Sequence, residues 1–130
     1  MYYLADTIAL VWYLHGHRRL GRQATRILRE ADQGHHTIAI SGVTLMEILY
    51  LSERRRIPIG LENLENLLVQ GDNYTVVSMG FEVVKAAAAI DDVPELHDRL
   101  IAGTAAWLGI PILTNDPVMT ESQHVRTVWN

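Results

Sequence analysis

Hydrophobic positions along the chain alternate between two kinds of segment. Met1–Ala5, Thr37–Ile40, Tyr74–Val77 and Pro111–Leu113 are short β-prone runs, and Val125–Val128 is a candidate fifth. Between them lie longer segments with helical spacing. Thr7–Leu14 is apolar almost all round and reads as a buried helix that breaks at His15-Gly16-His17. Leu20–Gln33 gathers Leu20, Ala24, Ile27, Leu28 and Ala31 on one face, with Gly34 placed to end it. A turn at Ser41-Gly42 leads into a helix over Val43–Arg54. Leu61–Gln70 carries a stripe of Leu61, Leu64, Leu67 and Leu68, and Phe81–Ile90 and His97–Leu108 complete the helices. Strands that are apolar on both faces and alternate with helices predict an α/β protein, a mostly parallel sheet of four to five strands covered on both sides.

Composition narrows the picture. The 130 residues are 48% hydrophobic and 20% charged, within the range of one globular domain, so residues 1–130 are read as a single domain without linker or repeat. There is no cysteine, which excludes disulfides, thiolate zinc sites and a cysteine nucleophile. No apolar run is long enough to span a bilayer, and the start, Met1-Tyr2-Tyr3-Leu4-Ala5-Asp6, has no basic region of the kind that opens a signal peptide. A cytoplasmic protein without membrane contact is expected.

Charge is uneven. Residues 1–56 hold eight arginines against five acids, a net +3, and residues 57–130 hold three basic residues against ten acids, a net −7. Arginine forks suit phosphate, and Arg18, Arg19, Arg22, Arg54, Arg55 and Arg56 are the candidates for contact with a nucleic-acid backbone, against the plainer reading of solvated helix surface.

Four carboxylates are the candidate chemistry. Asp6 closes the first strand and is also placed to cap the following helix. Glu47 falls at helical spacing from Val43, Thr44, Tyr50 and Leu51, in an apolar stripe, where a carboxylate needs a cation or an arginine partner. Asp98 is in register with Ile101, Ala102 and Ala105, yet sits near a helix start where an acid can cap. Asp116, before Pro117, has the signature of a helix cap. Each acid has a structural account. Together they fall at strand ends and on helix faces turned to one sheet, where clustered oxygens suit a hard divalent cation.

The residues Leu4-Ala5-Asp6-Thr7, Met46-Glu47-Ile48, His97-Asp98-Arg99-Leu100-Ile101-Ala102-Gly103-Thr104-Ala105 and Ile112-Leu113-Thr114-Asn115-Asp116 give the chain, over nearly its whole length, a resemblance to the PIN-domain ribonucleases, particularly the VapC-like toxins of toxin–antitoxin pairs. The resemblance implies a three-layer α/β/α sandwich and Mg²⁺- or Mn²⁺-dependent hydrolysis of RNA. It makes Asp6, Glu47, Asp98 and Asp116 the catalytic metal-binding acids, supported by the polar groups of Thr7, Ser41, Thr104, Thr114 and Asn115. It implies an antitoxin partner and a homodimer. Gly103 stands where these toxins often have alanine, at a cost in helix propensity of up to about 1 kcal/mol. His15, His17, His35 and His36 fall in predicted turns and are read as exposed; His97, beside Asp98, is a candidate substrate contact, and Arg99 reads as a surface or interlayer residue. The alternative is a PIN-fold scaffold that binds in RNA metabolism without catalysis, which would have no reason to keep four mutually repelling acids.

Overall fold

Along the first strand, side chains alternate between two separate cores. Tyr3 and Ala5 enter one and Leu4 the other; the second strand repeats this, with Ile38 and Ile40 on one side and Ala39 on the other. A sheet apolar on both faces needs a cover on each, and the computed structural model, which describes residues 1–130, has both. In chain order the elements are β1 Tyr2–Ala5, α1 Thr7–His15, α2 Arg22–Asp32, β2 Thr37–Ser41, α3 Gly42–Glu53, α4 Leu61–Gln70, β3 Tyr74–Val77, α5 Phe81–Ala88, α6 Leu96–Leu108, β4 Ile112–Leu113, α7 Pro117–Glu121 and β5 Thr127–Val128. The five strands are all parallel in the order β3-β2-β1-β4-β5. One core takes Leu10 of α1, Leu28 of α2, Ile48 of α3 and Leu64 of α4; the other takes Val43 of α3, Ile101 and Ala105 of α6 and Met119 of α7. This is the three-layer α/β/α sandwich.

Helix α3 belongs to both layers. Val43 near its start enters one core and Ile48, one turn and a half later, the other, and the helix packs against both α1 and α6. Its start differs from the expected turn. The chain passes straight from β2 into α3, because buried Ser41 ends the strand and caps the helix, its Oγ accepting the Val43 N–H at 3.1 Å.

Other departures have local causes. Helix α2 begins at Arg22 rather than Leu20, because Gly21 is its cap. There the Trp129 backbone oxygen, which accepts the Ala24 N–H at 3.0 Å, lies 2.1 Å from where a side-chain carbon would stand, so only glycine fits. Helix α1 is not buried all round: Ile8 is 41% exposed. Two histidines expected in solvent are partly covered. His17 stacks on Trp12 with ring centroids 4.4 Å apart, and His36, with a side chain 13% exposed, sets Nε2 2.9 Å from Glu30 Oε1. Helix α7 follows from the Asp116-Pro117 signature. No helix is long and apolar enough to cross a membrane.

Candidate active site

From β1 the chain builds outward through β2 and β3 on one side; β4 and β5 fill the other. The connections leaving β1 and β4 therefore diverge, and the crevice between them lies at the carboxyl ends of the strands, the usual place for a ligand in an open parallel sheet. A cleft of about 610 Å³ opens there, and Asp6, Thr7, Glu47, Asp98, Asn115 and Asp116 line it. All four acids singled out in the sequence thus share one cavity.

Each acid is positioned by its element. Asp6 follows β1, is 6% exposed and caps α1, its Oδ1 accepting the Ala9 N–H at 2.8 Å. Burial pushes its carboxyl up to about 6; hydrogen bonds from Thr114 and Ala9 oppose the shift, and the charges of Asp116 and Glu47 add to it. Asp116 caps α7 through Oδ1, which accepts the Val118 N–H at 2.8 Å. Capping and cleft-facing positions are therefore compatible at both residues.

Asp98 is not a cap. Glu95 caps α6 by accepting the Asp98 N–H at 2.8 Å, which leaves the Asp98 carboxyl free to face the cleft. Burial raises it to about 6, helped by the charges of Asp116, Glu95 and Glu47 and by a hydrogen bond to Asp116 that favours its protonated form. Glu47 has no arginine partner and sits at the edge of its stripe: Val43 and Thr44 are buried, Tyr50 and the neighbouring Met46 are exposed, and its own side chain is 25% exposed. The Thr7 hydroxyl donates to its Oε1 and stands 3.2 Å from the Thr44 hydroxyl, while His97 Nδ1 lies 3.8 Å from its Oε2. The placement of α3 between α1 and α6 brings Glu47 to these partners.

Of the supporting groups, Thr7, Thr114 and Asn115 are at the site; Thr114 Oγ1 accepts the Asp116 N–H at 3.0 Å and its hydroxyl serves Asp6. Ser41 and Thr104 do not line the cleft. Ser41 caps α3, and the buried Thr104 hydroxyl donates to the Leu100 carbonyl at 2.8 Å. None of Arg18, Arg19, Arg22, Arg54, Arg55 and Arg56 lines it either; all are exposed, and Arg54 lies over the Tyr50 ring at 3.8 Å. His97 sits at the rim, 3.4 Å from Glu95 Oε1.

A second group, Asp91, Asp92 and His124, brings metal-ligating atoms together at the surface. Both oxygens of Asp92 are engaged: they accept the Gln123 N–H and the Ser122 hydroxyl, each at 2.8 Å, which holds its carboxyl below the usual range, and His124 Nε2 is 2.9 Å from Asp91 Oδ1. The group braces two loops whose residues are about thirty positions apart, a separation no local motif reveals.

The donors of the cleft fit a hard divalent cation. They are carboxylate oxygens from four elements converging on one cavity, no arginine or lysine neutralises them, and two carry carboxyls displaced upward by burial and by the other acids. The PIN domain family model matches residues 3–122. Among solved structures, the chain is similar to VapBC2 from Rickettsia felis bound to a DNA fragment from its promoter, at 17% identity over 100% of both chains and a TM-score of 0.72. It is similar to DNA-bound VapBC from Salmonella typhimurium, at 18% identity over 98% of this chain and 97% of that one, with a TM-score of 0.69. A toxin–antitoxin complex from Klebsiella pneumoniae matches at 19% identity over 91% and 89%, with a TM-score of 0.63. No curated protein matches the chain.

Proposed function

Since the chain belongs to the PIN-domain family, we propose that it is a metal-dependent endoribonuclease and the toxin of a toxin–antitoxin pair. The observation that carries this reading is the convergence of Asp6, Glu47, Asp98 and Asp116 on one cleft at the switch point of the sheet. A scaffold that only binds has no use for four carboxylates crowded into one cleft.

Asp6, Glu47, Asp98 and Asp116 would hold Mg²⁺ or Mn²⁺. When bound, the cation lowers the pKa of water and offsets charge on the phosphodiester oxygens. The chain's own groups set the geometry. Ala9 N–H fixes one oxygen of Asp6 and Val118 N–H one oxygen of Asp116, so that neither carboxylate rotates freely. Thr7 orients Glu47, and Thr114 joins Asp6 to the Asp116 backbone. Asn115, exposed at the mouth, supplies a carboxamide for substrate.

An antitoxin partner and a homodimer belong to the same reading. The exposed Met46, Leu49, Tyr50 and Phe81 offer the apolar surface such contacts need. A cytoplasmic location belongs to the same reading.

The test is cleavage of labelled single-stranded RNA by purified protein. Cleavage is expected with Mg²⁺ or Mn²⁺ and none in EDTA. Equal cleavage with and without EDTA overturns the reading, because every acid was given its role through the cation. Sedimentation equilibrium checks the dimer: a monomer throughout the concentration range removes that part of the proposal.

A further inference from the structure

The wall of the cleft continues past the carboxylates. Asn115 and Pro117 also border a second groove of about 480 Å³, which runs on to Thr120, Thr127, Trp129 and Asn130. Its chemistry contrasts with that of the cleft: Glu121 is its one acidic side chain, and it offers hydroxyls, carboxamides and an indole. The indole is held from behind. The Trp129 carbonyl accepts the Ala24 N–H at 3.0 Å, the residue fills the space over Gly21, and its ring centroid lies 6.0 Å from that of Trp12. A fixed aromatic surface loses little conformational entropy when something stacks on it.

We propose that this groove is a nucleotide subsite, holding the residue of a single-stranded RNA that adjoins the scissile phosphodiester, with its base against Trp129 and its polar edge or sugar on Asn115 and Asn130. The inference rests on the ribonuclease reading and names where that substrate is gripped. Four carboxylates repel a polyanion, so affinity has to come from surface beside them. Stacking on an aromatic side chain supplies it for any base, and carboxamides bond the edges that an unpaired base leaves free. The volume lies within the range of small-molecule sites. Beyond Trp129, its neighbour Trp12 lines a further depression that carries Arg18 and Arg29, cations placed for the next phosphates. A duplex cannot present a base face to Trp129, so the subsite selects single strands.

The probe is a single-stranded adenylate tetranucleotide, titrated into ¹⁵N-labelled metal-free protein at low ionic strength and followed by NMR. The Trp129 indole N–H and the Asn115 and Asn130 carboxamides are expected to shift and saturate together, while the indole of Trp107, exposed on α6 and away from the groove, stays in place. Trp129→Leu should weaken binding about tenfold or more, whereas Trp129→Phe, which keeps a ring, should stay within about threefold. Asn130→Asp, at an exposed position, should weaken it about fivefold by adding a like charge, and it keeps the test decisive if Trp129→Leu does not fold. Shifts absent from Trp129 and Asn130, or wild-type binding by Asn130→Asp, overturn the subsite. The two readings fail separately. If metal-dependent cleavage proceeds while Asn130→Asp keeps the wild-type KM, the subsite falls and the ribonuclease stands. If nothing is cleaved but the groove resonances shift, the reverse holds.

Discussion

Asp6 and Asp116 each give Oδ1 to a helix cap while lining the cleft, whereas Asp98 lines it without capping, because Glu95 caps its helix. Substitution by asparagine separates these duties, since asparagine caps about as well as aspartate but carries no charge. Asp98→Asn should lower metal-dependent RNA cleavage by at least about a hundredfold, while thermal melting in EDTA shows a fold as stable as wild type or more so. The pH dependence of stability follows from Asp6. Its folded carboxyl titrates near 6, raised from 3.8, so between those values the folded state binds more protons than the unfolded state. Stability from this group is therefore full below pH 3.8 and is lost as pH rises toward 6, by about 3 kcal/mol for a shift of this size. Urea unfolding in EDTA at pH 4.5 and pH 7 should show wild type losing more stability over that interval than Asp6→Asn. At this scale the sequence singled out four acids that prove to share a cleft, yet it left open whether three of them were only caps. That question turns on which oxygen points where. Glu95 was missed because its role depends on the helix starting at Leu96, one residue before the expected start at His97.

At the level of elements, Gly103 corrects an expectation. Read alone it is a weak point in a helix; in the structure a side-chain carbon there would lie 2.8 Å from both the Cβ and the backbone nitrogen of Ala87 and 2.9 Å from its Cα. It is what lets α5 and α6 pack closely. Gly103→Ala should therefore destabilise the fold by about 1–3 kcal/mol despite its gain in helix propensity, and Ala87→Gly should not restore it, because two of the three clashes are with backbone. Chemical denaturation of the single and double variants checks this. Ser41→Ala removes the cap of the helix that carries Glu47 and should cost about 1 kcal/mol, read as a lower melting temperature. The alternation of strands and helices, and the double-sided sheet, were legible because hydrophobic period is a local property. Helix ends were less so. Gly21 starts α2 only because Trp129, far along the chain, sits on it, and His36 is covered because β2 brings it against Tyr3.

At the scale of the whole molecule, the proposed function couples folding to the cation. Acids crowded in one cleft oppose the metal-free fold, and a cation that binds only the folded state adds RT ln(1 + [L]/Kd), about 2.7 kcal/mol at a hundredfold excess. Melting curves should rise with Mn²⁺ in wild type and rise much less in Asp6→Asn and Asp98→Asn. If these variants keep the full Mn²⁺ shift, the acids are not its ligands. One further consequence comes from α3, whose Val43 and Ile48 are rooted in opposite layers. Neither layer can open while α3 stays docked, and α3 cannot leave without opening both. Its amide hydrogens should then exchange with solvent only through global unfolding, with protection equal to the slowest strands of the sheet. A protease that nicks the chain in an outer loop would leave this helix in place, and one that reaches it would find a molecule already unfolded.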